Sequence, residues 1–157
     1  MADDNKAPHL RLTEWWEASS SGIVVDRTDP ATIEALEAKY GILLPPDFRA
    51  YLAFACPQND PSWDNELFNW WPVWRLKNLP DEQQTATCKI IQEDAESYIF
   101  FADYFIWCWA WAICCKPGKQ WGKVAVIGGR DRIVADNFSD FVSRYIADPS
   151  GIDLFPE

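Results

Sequence analysis

Residues 33–52, IEALEAKYGILLPPDFRAYL, join two amphipathic patterns through a glycine stop and a proline restart. The junction predicts a helix, a sharp corner and a second helix. Asp29 can cap the first helix and Pro30 suits its first turn, while Ile33, Leu36 and Tyr40 recur at helical spacing. Gly41 can take the left-handed conformation that ends it. Leu43 and Leu44 are expected to plug the corner. Pro45 and Pro46 forbid continuation of the first helix but can open a second, whose buried stripe is Phe48, Tyr51, Leu52 and Ala55.

Around this double helix the chain alternates between clear and irregular patterns. Leu10, Leu12, Trp15 and Trp16 suggest a short leading helix, broken by Ser19 to Gly22, and residues 1–8, MADDNKAP, read as a mobile leader. Residues 56–66, CPQNDPSWDNE, are rich in breakers and have no period. Residues 67–76, LFNWWPVWRL, read as a strand interrupted at Pro72, which places it at an edge or bulge. Residues 81–95 are compatible with a loop or with a strand beginning at Cys88, Ile90 and Ile91. Further on, Phe105, Trp107, Trp109, Trp111 and Ile113 lie at period two against Cys108, Ala110, Ala112 and Cys114. That alternation predicts a strand with one bulky and one thin side, with Ala102 and Asp103 turning residues 98–101 back against it. Residues 123–127 and 132–135 form a hairpin through Gly128 to Asp131. Asp136 or Asn137 caps a closing helix whose stripe is Phe138, Phe141, Val142, Tyr145 and Ile146. Helices flanking a run of strands give an α+β domain: a twisted antiparallel meander packed against N-terminal helices and a C-terminal helix, in a single domain over residues 1–157.

The double helix resembles the signature of the SUKH superfamily, the Smi/Knr-like proteins, in which an I-x-x-L-E-x-x-x-G-x-x-L-P-x-D-F-R-x-Y-L pattern recurs. Here it stands as Ile33, Leu36, Glu37, Gly41, Leu44, Pro45, Asp47, Phe48, Arg49, Tyr51 and Leu52. Residues 98–113 are similar to the family's central strand pair, and residues 134–146 to its final helix. The resemblance implies the same α+β architecture. It speaks more to fold than to function.

Chemistry is sparse. The one histidine, His9, has no second orienting group in view, so no Ser/His/Asp or Cys/His arrangement is legible. The pair Gly128-Gly129 sits between strands instead of opening a helix and is turn chemistry, not a phosphate cradle. Five cysteines without a C-x-x-C pair argue for reduced thiols in a cytoplasm and against zinc, with Cys108 and Cys114 expected as buried small residues of the strand. No cofactor or metal is expected. The longest apolar run, residues 104–115, is too short for a membrane span. Asp103 is explained by capping its own turn. Twenty-four acidic residues against fourteen basic ones leave a formal charge of −10, which opposes nucleic acid and anionic lipid and suits a basic protein partner.

Candidate partner-binding residues therefore come from the acidic, aromatic loop and the strand after it: Asp60, Trp63, Asp64, Glu66, Trp70 and Trp71. Trp74 belongs to the same cluster of rings, and core packing competes with exposure for each of them. Adjacent Trp70 and Trp71 cannot face one side of a regular strand, so one must meet a second layer, a loop or a partner. For many bacterial members the SUKH resemblance implies an immunity protein that binds and neutralises a cognate polymorphic or contact-dependent toxin; the acidity favours a basic one, such as a nuclease. The alternative is a regulatory or scaffolding module related to fungal cell-wall synthesis regulators, which are larger and carry disordered flanks. A third reading, a small-molecule binder or enzyme, would place a ligand near Trp107, Trp109 or Trp111.

Overall fold

The corner between the first two long helices is built from main-chain caps and one carboxylate. In the computed structural model, which describes residues 6–148, helix α2 spans Pro30–Tyr40 and α3 spans Pro46–Ala55. Asp29 accepts a hydrogen bond from Ala31 N at 2.9 Å. Gly41 ends the helix at φ 62°, where a side chain would be strained. Glu37 then crosses the corner, accepting from Leu44 N at 3.0 Å and from the Arg49 guanidinium. Leu44 is buried as expected, but Leu43 points outward. Its N–H donates to Cys115 O and its carbonyl accepts from Trp121 Nε1, so both main-chain groups are held and the side chain faces solvent.

The remaining elements follow the expected order with adjusted boundaries. Helix α1 (Pro8–Ala18) starts inside the segment read as a leader, of which residues 1–5 lie outside the described residues. Strands β1 (Val25–Asp26) and β2 (Cys56–Pro57) form a small antiparallel pair. They are followed by β3 (Phe68–Trp70), β4 (Lys77–Asn78), the short helix α4 (Lys89–Gln92), β5 (Tyr98–Tyr104), β6 (Trp109–Cys114), β7 (Val124–Ile127), β8 (Arg132–Ala135) and α5 (Phe138–Ala147). The main sheet runs β3-β5-β6-β7-β8, all antiparallel, with β4 also pairing β5. The interruption at Pro72 is real: β3 stops, a 3-10 turn covers Val73–Arg75, and β4 resumes farther along β5. Cys88, Ile90 and Ile91 enter or flank α4 and begin no strand.

One boundary is corrected. Asp103 is paired in β5 opposite Ala110, and residues 105–108, not Ala102 and Asp103, make the turn. Phe105 and Trp107 therefore leave the strand, and Cys108 is exposed in the turn where burial was expected. The thick and thin faces survive over β6. Trp111 stacks on Phe68 with ring centroids 4.5 Å apart, on the face that meets the helices. There Phe138 meets Phe48 and Phe101, and Phe141 meets Phe101, edge to face at 5.2–5.7 Å, geometry that adds about 0.5–1.5 kcal/mol per pair beyond burial. On the opposite face Phe100 packs against Trp71 and Trp107. Arg11 of α1 donates to Ser139 Oγ and Ser143 Oγ of α5, which fixes the outer helices to each other.

Candidate functional site

The loop from Gln58 to Leu67 owes its shape to two carboxylates that point inward. Asp64 Oδ1 accepts from Glu66 N at 2.8 Å and Phe68 N at 2.9 Å, closing the chain on itself before β3. Its Oδ2 accepts from Trp70 Nε1 and from the Tyr145 hydroxyl on α5, and that hydroxyl in turn accepts from Trp16 Nε1 on α1. Asp64 thus joins the loop to two helices. Burial pushes its carboxyl above the usual range and outweighs the donors around it, and burial likewise pushes the Tyr145 hydroxyl up.

Asp103 does the equivalent work on the other face of the sheet. Its Oδ1 accepts from Trp71 Nε1 at 2.6 Å and Asn69 Nδ2 at 3.2 Å, and its Oδ2 accepts from Trp107 N at 2.7 Å. Asp103 therefore does cap a turn, but from within β5 and onto residues 105–108. Asn69 reaches back to the loop as well, its Oδ1 accepting from Ser62 N. Nearer solvent, Asp60 accepts from Arg75 Nη1 at 2.8 Å, and the Arg75 guanidinium lies 3.9 Å above the Trp71 ring.

These contacts divide the six expected partner-binding residues. Trp70, Trp71 and Asp64 are buried, so they form no external surface. The cause for the rings is alternation: Trp70 enters the helix-facing layer, 5.1 Å from Tyr145, and Trp71 enters the opposite layer beneath Arg75. Trp63 is half-buried and bridges to Asn69. Asp60 and Glu66 remain at the surface. The ring that does protrude is Trp74, 68% exposed, beside Arg75. Its place in the cluster was legible, but its exposure depends on the 3-10 turn after Pro72, which no local pattern announces.

A second exposed group sits at the other end of the loop. Leu67 is 44% exposed, Phe105 47% and Ile106 76%, and Phe105 N donates to Leu67 O at 3.0 Å. Leu67, Phe105, Ile106 and Trp107 have φ of 69°, 38°, 49° and 59°. Left-handed backbone costs a residue with a Cβ roughly 1–2 kcal/mol, and a β-branched residue such as Ile106 is an outlier there. No glycine or asparagine marks this turn in the sequence, which is why it read as strand.

The reactive inventory is thin. The thiols of Cys56, Cys114 and Cys115 are buried and pushed up by that burial, Cys56 to about 12, which keeps them protonated. His9 lies on α1 with its ring 5.5 Å from Phe54. The ring faces of Trp109 and Trp111 are taken up by Tyr104 and Phe68. Among the described residues no group of three His, Cys, Asp or Glu side chains stands together as a metal site, and no helix is long and apolar enough to cross a membrane. What the arrangement offers is a rigid surface: an acidic loop braced from within, with an exposed ring at one end and an apolar turn at the other. The sequence matches the model of the SMI1 / KNR4 family (SUKH-1) over residues 27–144, from the approach to α2 into α5. No curated protein matches the chain.

Proposed function

The chain belongs to the SMI1 / KNR4 family (SUKH-1), and from that membership we propose that it is an immunity protein, which binds a cognate polymorphic or contact-dependent toxin in the cytoplasm and neutralises it by covering the toxin's site. The observation that carries this reading is Trp74, which stands 68% exposed beside the Asp60–Arg75 pair. Tryptophan is enriched among the residues that anchor protein–protein contacts, and this ring stands next to a charged pair that can form the rim of such a contact. Asp60 lies at this end of the loop and Glu66 at the other, and in a chain of net charge −10 these surface carboxylates favour encounter with a basic target such as a nuclease domain. Asp64 and Asp103, the carboxylates best placed for chemistry by burial, already accept from fixed ring and main-chain donors, so their role is to brace the loop and not to move protons.

Co-expression with any toxic domain encoded next to this chain's gene tests the reading. Rescue of growth, together with a stoichiometric complex of the two purified proteins, is the expected result. Continued toxicity without a complex would remove the immunity function and leave the regulatory module, which a pull-down retrieving several host proteins would identify.

A further inference from the structure

We infer that the β5–β6 turn is the apolar anchor of the interface, inserting Phe105 and Ile106 into a hydrophobic socket on a partner protein whose side facing the acidic loop is basic. The inference rests on the immunity reading and adds the surface through which it operates. Three observations meet at this turn. Leu67, Phe105 and Ile106 are exposed together, with Phe105 N bonded to Leu67 O, so the patch joins two chain segments instead of being one stray side chain. Their backbone is held in the left-handed region by fixed bonds: Trp107 N to Asp103 Oδ2 at 2.7 Å and Cys108 N to Tyr104 O at 2.9 Å. Trp107 then folds under the turn with its ring 5.3 Å from Phe100, so the exposed side chains rest on a packed base. A knob whose conformation is set before binding loses little further freedom on docking.

Charge assigns the partner. Residues 50–74 and 90–115, which supply both segments of the patch and the loop beside it, contain no lysine or arginine, and Arg75, the next residue along, is taken up by Asp60. Glu66 precedes Leu67 and is exposed. The β7–β8 turn, with Arg130 and Arg132 near it, lies on the other flank at the same end of the sheet, Gly128 packing against Cys108 and Trp109, because Ala110 pairs with Ile127. The patch therefore has its acidic flank on the β3 side, and the matching socket carries its basic groups there.

The probe is any toxic domain encoded beside this chain's gene, titrated against the full chain and against Ile106→Gly and Leu67→Gly. Glycine removes the apolar side chain while relaxing the left-handed backbone, so these variants fold at least as well as the parent, which melting confirms. Weakening of the complex by at least about tenfold in either variant, with slowed amide exchange over residues 103–109 in the parent complex, is expected. Parent-like affinity in both variants overturns the anchor and leaves the immunity reading standing. Failure of the parent to bind the domain overturns both. Binding of the parent to phosphatidylcholine vesicles, or self-association by light scattering, that Ile106→Gly abolishes would make the turn a lipid anchor or a dimer contact and would also overturn the proposal.

Discussion

Two carboxylates, Asp64 and Glu37, respond to acid in opposite directions. Asp64 is buried and its carboxyl is raised above the ordinary 3.8, because loss of solvent outweighs the donors it accepts from. The fold thus holds its proton more tightly than the unfolded chain does, so lowering the pH through the raised value toward 3.8 adds stability through this group. At Glu37 burial also acts to raise the carboxyl, but Leu44 N–H and Arg49 overcome it and hold it below the ordinary 4.5. Its contribution is full above 4.5 and is lost as the pH falls through the lowered value. Denaturant titrations across the acidic range should show Glu37→Gln flattening the acid-side loss and Asp64→Asn removing the opposing gain. At neutral pH Asp64→Asn should still cost about 1–3 kcal/mol, since an amide can keep the Glu66 and Phe68 N–H bonds but cannot accept from both Trp70 and Tyr145.

Among the described residues, the β5–β6 hairpin stores the most local backbone strain, with three successive residues at positive φ and none of them glycine. Ile106→Gly should raise stability by about 1 kcal/mol, read as an increased denaturant midpoint at unchanged slope, because relief of the left-handed cost exceeds the added freedom of the unfolded chain. The same hairpin explains what the sequence could and could not disclose. The α2–α3 corner was legible because Asp29, Gly41 and the paired prolines act on their own backbone, within a few residues. The separation of Trp70 from Trp71 followed from strand alternation alone. The turn at residues 105–108 was not legible, because apolar period two continues through it and the group that bends the chain, the Asp103 carboxylate, looks like an ordinary strand residue until its bond to Trp107 N is seen. Leu43 and Trp74 failed to declare themselves for a similar reason. Their outward orientation is set by distant partners or by a turn, namely Cys115 and Trp121 for Leu43 and the break after Pro72 for Trp74.

At the scale of the whole molecule, the aromatic residues divide into those that hold the fold and those that stand exposed, which the proposed function assigns to a partner, and two substitutions separate the roles. Trp70 is fully buried between α5 and the sheet, and its ring meets Trp16, Phe101 and Tyr145. Trp70→Ala opens a cavity there and removes the indole donor to Asp64, and should cost about 3–5 kcal/mol, enough to unfold much of a marginally stable domain. Trp74 lies outside that network, so Trp74→Ala should change stability by no more than about 0.5 kcal/mol while weakening the proposed toxin complex by about 2 kcal/mol, or about thirtyfold. The net charge of −10 acts differently from either ring, because it is felt before contact. Raising ionic strength from about 0.01 M to 0.5 M shortens the Debye length from about 30 Å to less than 8 Å and should slow association with a basic toxin by at least about tenfold. Dissociation, which the proposed interface assigns to packed contacts of Trp74 and the β5–β6 turn, should change little over the same range. Stopped-flow association and dissociation measured across that salt series distinguish the two contributions: a salt-independent association rate would mean that the acidic surface does not face the partner, and a dissociation rate unaltered in Trp74→Ala would mean that the exposed ring does not touch it.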